Sequence, residues 1–218
     1  MKIVPSILSD TYDDFLLRLA QAEAFTDYVQ IDIMDGTFVG TKSFPAERIS
    51  GVKTALGFEV HLMTRSPAAV AAEIRHPGMK KVIYHFEAGA NHEEIVRVLK
   101  GRGIDAGLAV KPGTTLEEVR GAGEGVGTLL FLTVDPGSYG SPFRPEVLAK
   151  VKEARKVFAG KIIGVDGGVS LDNLEAFVDS GVDYACVGSR IFLHGRPEVN
   201  YRNFIDRVGL LERREDRG

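Results

Sequence analysis

Two rhythms of apolar positions alternate along the chain: short apolar runs of strand length, then stretches in which apolar residues recur every three or four positions. Ile3–Leu8 reads as a strand, and Tyr12–Phe25 as a helix with Phe15, Leu16, Leu19, Ala22 and Ala24 at helical spacing behind an Asp10/Thr11 cap. Tyr28–Met34 is the second strand, followed by an irregular loop Asp35–Pro45 and a helix over Ala46–Ala55. Gly57–Met63 is the third strand, and Ser66-Pro67 opens its helix with a cap and a proline at the first position. Lys81–Phe86 and Ala106–Val110 are the fourth and fifth strands, each followed by a helix, one at Asn91–Lys100 and one beginning at Thr115–Arg120. Thr128–Val134 is the sixth strand, and the loop Asp135–Phe143 leads from it to a helix at Pro145–Phe158. Lys161–Val165 and Tyr184–Val187 are the last strands, with helices at Leu171–Ser180 and Glu198–Leu211. An eighth βα unit separates a closed (β/α)8 TIM barrel from an open doubly wound sheet, so one barrel domain over residues 1–218 is expected, with the charged end 212–218 as a disordered tail.

Within that pattern Tyr28–Met34 is unusual. Its alternation puts Gln30, Asp32 and Met34 on one face and Val29, Ile31 and Ile33 on the other. A carboxylate in an apolar strand is costly unless a charge or a hydrogen bond meets it. In a barrel of this kind catalytic groups come from the C-terminal strand ends, which selects Ser9, Asp32, Met34, Asp35, His61, Met63, His85, Asp135, Asp166 and Ser189. The second and seventh strands stand three steps apart on the ring, so Asp32 and Asp166 can face each other across its mouth, an arrangement suited to proton removal on one face of a carbon and delivery on the other. Taken singly, each would read as a loop cap or a structural ion pair. With His61 they also form a plausible divalent-metal set. His85 reads equally well as a satisfied core histidine or a ligand, whereas His76, His92 and His194 fall where solvated or capping roles are expected. Met34 and Met63 would floor the pocket. Asp166-Gly167-Gly168-Val169 and Val187-Gly188-Ser189-Arg190 place backbone N–H groups where such barrels bind phosphate, and the loop 136–141, with Gly137 and Gly140, could close over a ligand.

Composition narrows the partners. The 27 basic and 30 acidic residues leave a charge of −3, which offers no cationic field for nucleic acid or a membrane surface. The one cysteine, Cys186, lies in an apolar run and reads as a buried structural thiol in a reducing compartment. No apolar run has the length of a membrane span and the first residues lack a signal-peptide pattern, so a cytoplasmic protein acting on small molecules is expected. A homo-oligomer stays open.

Pro5-Ser6-Ile7-Leu8-Ser9, Asp32-Ile33-Met34-Asp35-Gly36-Thr37-Phe38-Val39, Val60-His61-Leu62-Met63, Lys111-Pro112-Gly113-Thr114, Thr133-Val134-Asp135-Pro136-Gly137 and Val165-Asp166-Gly167-Gly168 together resemble ribulose-phosphate 3-epimerases, in order over nearly the whole chain. The resemblance implies a ribulose-phosphate-binding barrel that interconverts D-ribulose 5-phosphate and D-xylulose 5-phosphate in the pentose phosphate pathway. By that analogy Asp32 and Asp166 are the acid/base pair at C3, and one divalent metal, zinc, manganese, iron or cobalt, polarises the C2 carbonyl and stabilises an enediolate. Asp32, His61 and Asp166 would hold it; Ser9 would touch the substrate, Met34 and Met63 would line the enediolate, and Gly167, Gly168, Gly188 and Ser189 would hold the phosphate.

The departures from the family pattern are local. Gln30 stands where the family has its first metal-binding histidine, and an amide oxygen is a poorer ligand than imidazole, so metal affinity should fall or the preferred metal change. Gly40-Thr41-Lys42 replaces the family's Pro-Asn continuation, Leu132 its third methionine, and Gly137-Ser138-Tyr139-Gly140 its phosphate-side loop. Lys42 would be either a solvated loop residue or a source of positive charge for the site. A hexulose-phosphate 3-epimerase, acting for instance on allulose 6-phosphate, and a low-activity sugar-phosphate-binding relative are the alternatives. A related decarboxylase or aldol-type synthase would need Asp-x-Lys at the end of the second strand, where this chain has Met34.

Overall fold

The computed structural model describes residues 1–137 and 140–215. Its strands are β1 (Lys2–Leu8), β2 (Tyr28–Met34), β3 (Gly57–Met63), β4 (Met79–His85), β5 (Asp105–Val110), β6 (Thr128–Leu132), β7 (Ile162–Asp166) and β8 (Tyr184–Val187). All pair in parallel with their neighbours in chain order, and β8 closes on β1, giving the expected eight-stranded barrel. Outside it lie α1 (Tyr12–Ala22), α2 (Pro67–Glu73), α3 (His92–Gly101), α4 (Leu116–Glu124), α5 (Val147–Val157), α6 (Leu174–Asp179), α7 (Ser189–Phe192) and α8 (Pro197–Glu215).

Strand alternation sorts the apolar residues into two cores. Val29, Ile31, Val60, Val82, Leu108, Phe131, Val165 and Ala185 belong to the large cluster between sheet and helices, joined there by Phe15 and Leu19 of α1 and Val151 of α5. Their neighbours in the strands, Val4, Ile83, Ala109, Leu130, Leu132, Tyr184 and Cys186, form a separate cluster inside the barrel. Polar residues of the same phase share that interior. Side chains of Thr11, Asn91 and Thr115 cap α1, α3 and α4, and Thr115 forms a full capping box with Glu118.

Several boundaries differ from the sequence reading. The helix expected over 46–55 is a single 3-10 segment, Ala46–Gly51, because Pro45 and Gly51 bracket a run too short to propagate an α-helix. The seventh strand extends to Asp166, so this carboxylate is its last residue rather than part of the loop. The helix expected over 171–180 begins only at Leu174, since the Ser170 and Asn173 side chains engage backbone N–H groups in a turn first. The tail expected to be disordered from 212 is instead helical through Glu215, with Leu211 buried and Glu212 paired to the amino group of Met1. Residues 216–218, like Ser138 and Tyr139 in the predicted closing loop, lie outside the described residues.

Candidate active site

The C-terminal mouth of the barrel opens into a cavity of about 570 Å³. Asp32 of β2, His61 of β3, Asp166 of β7 and Cys186 of β8 line its floor, together with Ser6 of β1. Parallel pairing sets Asp32 level with His61, and Asp166, the last residue of β7, reaches His61 across the barrel. Asp32 and His61 are buried, and Asp166 is partly so.

The groups are tied closely. His61 Nδ1 lies 3.0 Å from Asp32 Oδ1 and 3.2 Å from Asp166 Oδ2. Gln30, fully buried, donates through Nε2 to both carboxylates, at 3.0 Å to Asp32 and 2.8 Å to Asp166. Its Oε1 in turn accepts from the Cys186 thiol at 3.0 Å. Ser6 Oγ donates to Asp32 Oδ2 at 2.5 Å. The other side of His61 continues outward: its Nε2 is 3.0 Å from His85 Nε2, and His85 Nδ1 is 3.2 Å from Glu87 Oε2.

Charge follows from this geometry. Burial and the neighbouring Asp166 push the Asp32 carboxyl above the usual range, against hydrogen bonds from His61 and Ser6. Burial alone would make His61 a weaker base, but the two carboxylates overturn that and raise it to about 10, an imidazolium that answers their negative charge. His85, buried and beside cationic His61, falls to about 4 despite Glu87 and is neutral. Glu87 is held down to about 2: burial works against ionisation, but hydrogen bonds from His85, Thr114 and the Lys111 N–H prevail.

Asp32, His61 and Asp166 each offer a ligand atom, all within 4.8 Å of one another. Two carboxylate oxygens and one imidazole nitrogen form a donor set that suits zinc-like or manganese-like ions and fits a divalent metal. Gln30 is placed differently from a ligand, because its amide nitrogen rather than its oxygen faces the carboxylates.

Glycine-rich turns after β7 and β8 line the same cavity. Gly167 and Gly168 have φ of +100° and +68°, and a Cβ on Gly167 would meet Val134 at 2.3 Å, so no other residue fits this turn. Gly137, Gly140, Gly188 and Ser189 line the same cavity, with Arg190 and His194 at its rim. Gly137 approaches Val39 so closely that a Cβ would sit 2.8 Å from it, and its carbonyl accepts a hydrogen bond from Thr41. The loops after β2 and β6 therefore meet over the mouth.

Most residues singled out from sequence converge here, but not all. Met63 lines the cavity, whereas Met34 sits beside it in a small apolar cluster with Phe38 and Val39. Ser9 is turned onto α1, donating to Asp14 at 2.6 Å, and the serine of this strand that reaches the carboxylates is Ser6. Lys42 is exposed in the loop, its backbone forming an isolated antiparallel β-bridge with that of Asp35, and it is not part of the carboxylate group. Cys186, read as structural, contacts Gln30. Ser6 and Glu87 were missed. Ser6 shares the phase of Val4 and Leu8 in an apolar strand, the same signal that exposed Gln30.

Residues 2–192 match the model of the Ribulose-phosphate 3 epimerase family. A ribulose-phosphate 3-epimerase of Mycobacterium bovis is 35% identical over 87% of this chain and 85% of its own length, and one of Schizosaccharomyces pombe is 31% identical over 90% and 89%. Among solved structures, 3-hexulose-6-phosphate synthase from Salmonella typhimurium superposes with a TM-score of 0.71, covering 97% of this chain and 100% of that one at 15% identity, a likeness of fold.

Proposed function

The chain belongs to the ribulose-phosphate 3-epimerase family, an isomerase family, and from that premise we propose that it interconverts D-ribulose 5-phosphate and D-xylulose 5-phosphate by proton transfer at C3, with Asp32 and Asp166 as the two acid/base groups. The observation that carries this reading is the meeting of two carboxylates from β2 and β7 on one Gln30 amide, at 3.0 and 2.8 Å. Carboxylates brought so close on one cavity floor can serve the two faces of one carbon. The carboxylate that is ionised takes the C3 proton from one face; the other, protonated, returns one to the opposite face. The raised affinity of Asp32 for its proton supplies the acid partner in one direction of the reaction.

Asp32, His61 and Asp166 would hold a divalent ion, which supplies positive charge against the oxygens that become anionic when a proton leaves the carbon beside a ketone. Ser6 orients Asp32, and Met63 and Leu132 keep the floor poor in water. Gly167, Gly168, Gly188 and Ser189 would receive the phosphate, and the cavity volume of about 570 Å³ lies within the range of small-ligand sites.

The experiment follows the C3 proton by NMR in deuterium oxide, with ribulose 5-phosphate and allulose 6-phosphate in parallel. Two-base transfer predicts deuterium at C3 of the xylulose 5-phosphate formed. Preference for the hexulose phosphate would overturn the pentulose assignment, and epimerisation without deuterium incorporation would overturn solvent-exchanging proton transfer.

A further inference from the structure

Four hydrogen-bond contacts run in series from the carboxylate pair to the loop after β5, and their donor and acceptor roles are forced from the outer end. Glu87 lies in the 3-10 segment Phe86–Ala88 that follows β4. Its Oε1 accepts from the Lys111 N–H at 2.8 Å and from Thr114 Oγ1 at 2.6 Å, which leaves Oε2 for His85 Nδ1 at 3.2 Å. A carboxylate accepts only, so His85 carries its proton on Nδ1. Its Nε2 is then a bare acceptor, and the ring nitrogen 3.0 Å away, His61 Nε2, must be the donor. In the imidazolium Nδ1–H donates to Asp32 and Asp166; when a cation displaces that proton, the proton held on Nε2 by His85 stays, and Nδ1 offers its lone pair beside the two carboxylates. That is the tautomer a metal ligand needs.

We propose that Glu87 is a positioning residue for the cation site: acting through His85, it sets the His61 tautomer so that Nδ1 is the ligand atom offered beside Asp32 and Asp166. Glu87 touches neither substrate nor metal in this scheme. The three anchors on Glu87 explain why a residue in a surface turn can hold a buried imidazole in one state. His61 and His85 are both fully buried with ring centroids 5.0 Å apart, so neither can recruit bulk water to reverse the order.

The inference rests on the reading of Asp32, His61 and Asp166 as a cation site, and its test separates the two. Zinc affinity of the whole chain is measured by competition with a chromophoric chelator, and the imidazole tautomers of the zinc-loaded, 15N-histidine-labelled protein are read from two-bond 1H–15N correlations. The wild type should bind zinc, with His85 protonated on Nδ1 and bare on Nε2. In Glu87→Gln, one of the three donors around residue 87 faces an amide N–H; the His85 tautomer should reverse and zinc affinity fall by about 10-fold or more, the range for lost outer partners of metal ligands. Glu87→Asp, which keeps an acceptor, should recover part of that loss. His85→Gln, whose amide oxygen still accepts from His61, should bind zinc better than His85→Leu. Zinc binding by a folded Glu87→Gln equal to wild type, or His85 protonated on Nε2 in the wild type, would overturn the relay while leaving the cation site intact. A wild type that binds no zinc overturns both.

Discussion

Two charged clusters sit inside the same barrel, two residues apart along β3, and they differ in how charge is balanced. In the lower one Glu59, almost wholly buried, pairs with Lys81 of β4 at 3.0 Å, and Tyr28 of β2 adds a hydroxyl at 3.4 Å. One anion meets one cation; burial still pushes the Glu59 carboxyl upward against the pull of Lys81. In the upper one two carboxylates meet one imidazole, a neutral amide and a hydroxyl. The lower cluster matches one anion with one cation, although Glu59 Oε1 has no hydrogen-bond partner among the described residues. The upper one sets two carboxylates against one imidazolium, and that surplus of negative charge makes it able to take a proton or a cation.

The comparison breaks most visibly at Asp166. Replacing it by Asn removes one of the surplus anions, and epimerisation should fall by about 10²- to 10⁴-fold, the usual contribution of a positioned acid or base. The urea midpoint should hold or rise, because the change relieves repulsion between two neighbouring carboxylates. Asp32→Asn should behave alike. Full activity in either variant would remove the upper cluster from the chemistry.

The lower cluster predicts the reverse pattern. Lys81→Met strands Glu59 in the barrel without its cation, which should cost about 3 kcal/mol of stability, toward the low end for a buried pair because Lys81 keeps some exposure. Adding Glu59→Gln to that variant should recover most of the loss, read from urea unfolding, with turnover of the folded fraction little changed. A destabilisation near zero in the single variant would show that Glu59 is neutral already.

Gln30 sharpens the contrast, since it bonds to both carboxylates yet adds no charge. Its Nε2 faces the anions and its Oε1 is held by Cys186, so a cation must do without a fourth protein ligand or reverse the amide against that thiol. Gln30→His supplies a fourth donor, and zinc or manganese affinity should rise by about 10-fold or more. Equal affinity in the two proteins would mean that the three remaining ligands suffice.

How much of this was legible in the sequence depended on where each residue sits. Asp32, His61 and Asp166 interrupt apolar strands near their C-terminal ends, so period and position together expose them. Ser9 shares the position but not the phase: Ser6 points inward and Ser9 turns to Asp14. Glu87 shows no periodic signal at all, because its role depends on β4 lying beside β5, which carries Lys111 and Thr114 to it from distant parts of the chain. The charged tail misled for a similar reason: Leu211 and the Met1–Glu212 pair hold the helix end by contacts no local pattern records.

The smallest effect concerns Asp35, just above the upper cluster. Its Oδ1 accepts from the Thr37 and Phe38 N–H groups at 2.8 Å and its Oδ2 from the Arg65 N–H at 2.7 Å, pinning the loop after β2 to the loop after β3. Although what burial it has works the other way, these bonds hold its carboxyl down to about 2. A carboxyl depressed in the folded state stabilises it above the unfolded value of 3.8, and the contribution is lost as pH falls toward 2. Asp35 is largely solvent-screened, so the contribution is about 1 kcal/mol. Asp35→Asn keeps an acceptor for Thr37 and Phe38 but turns an amide N–H toward Arg65. Urea midpoints should therefore differ between the two proteins at pH 7 and converge toward pH 2; a difference that stays constant over that window would remove Asp35 ionisation as the latch.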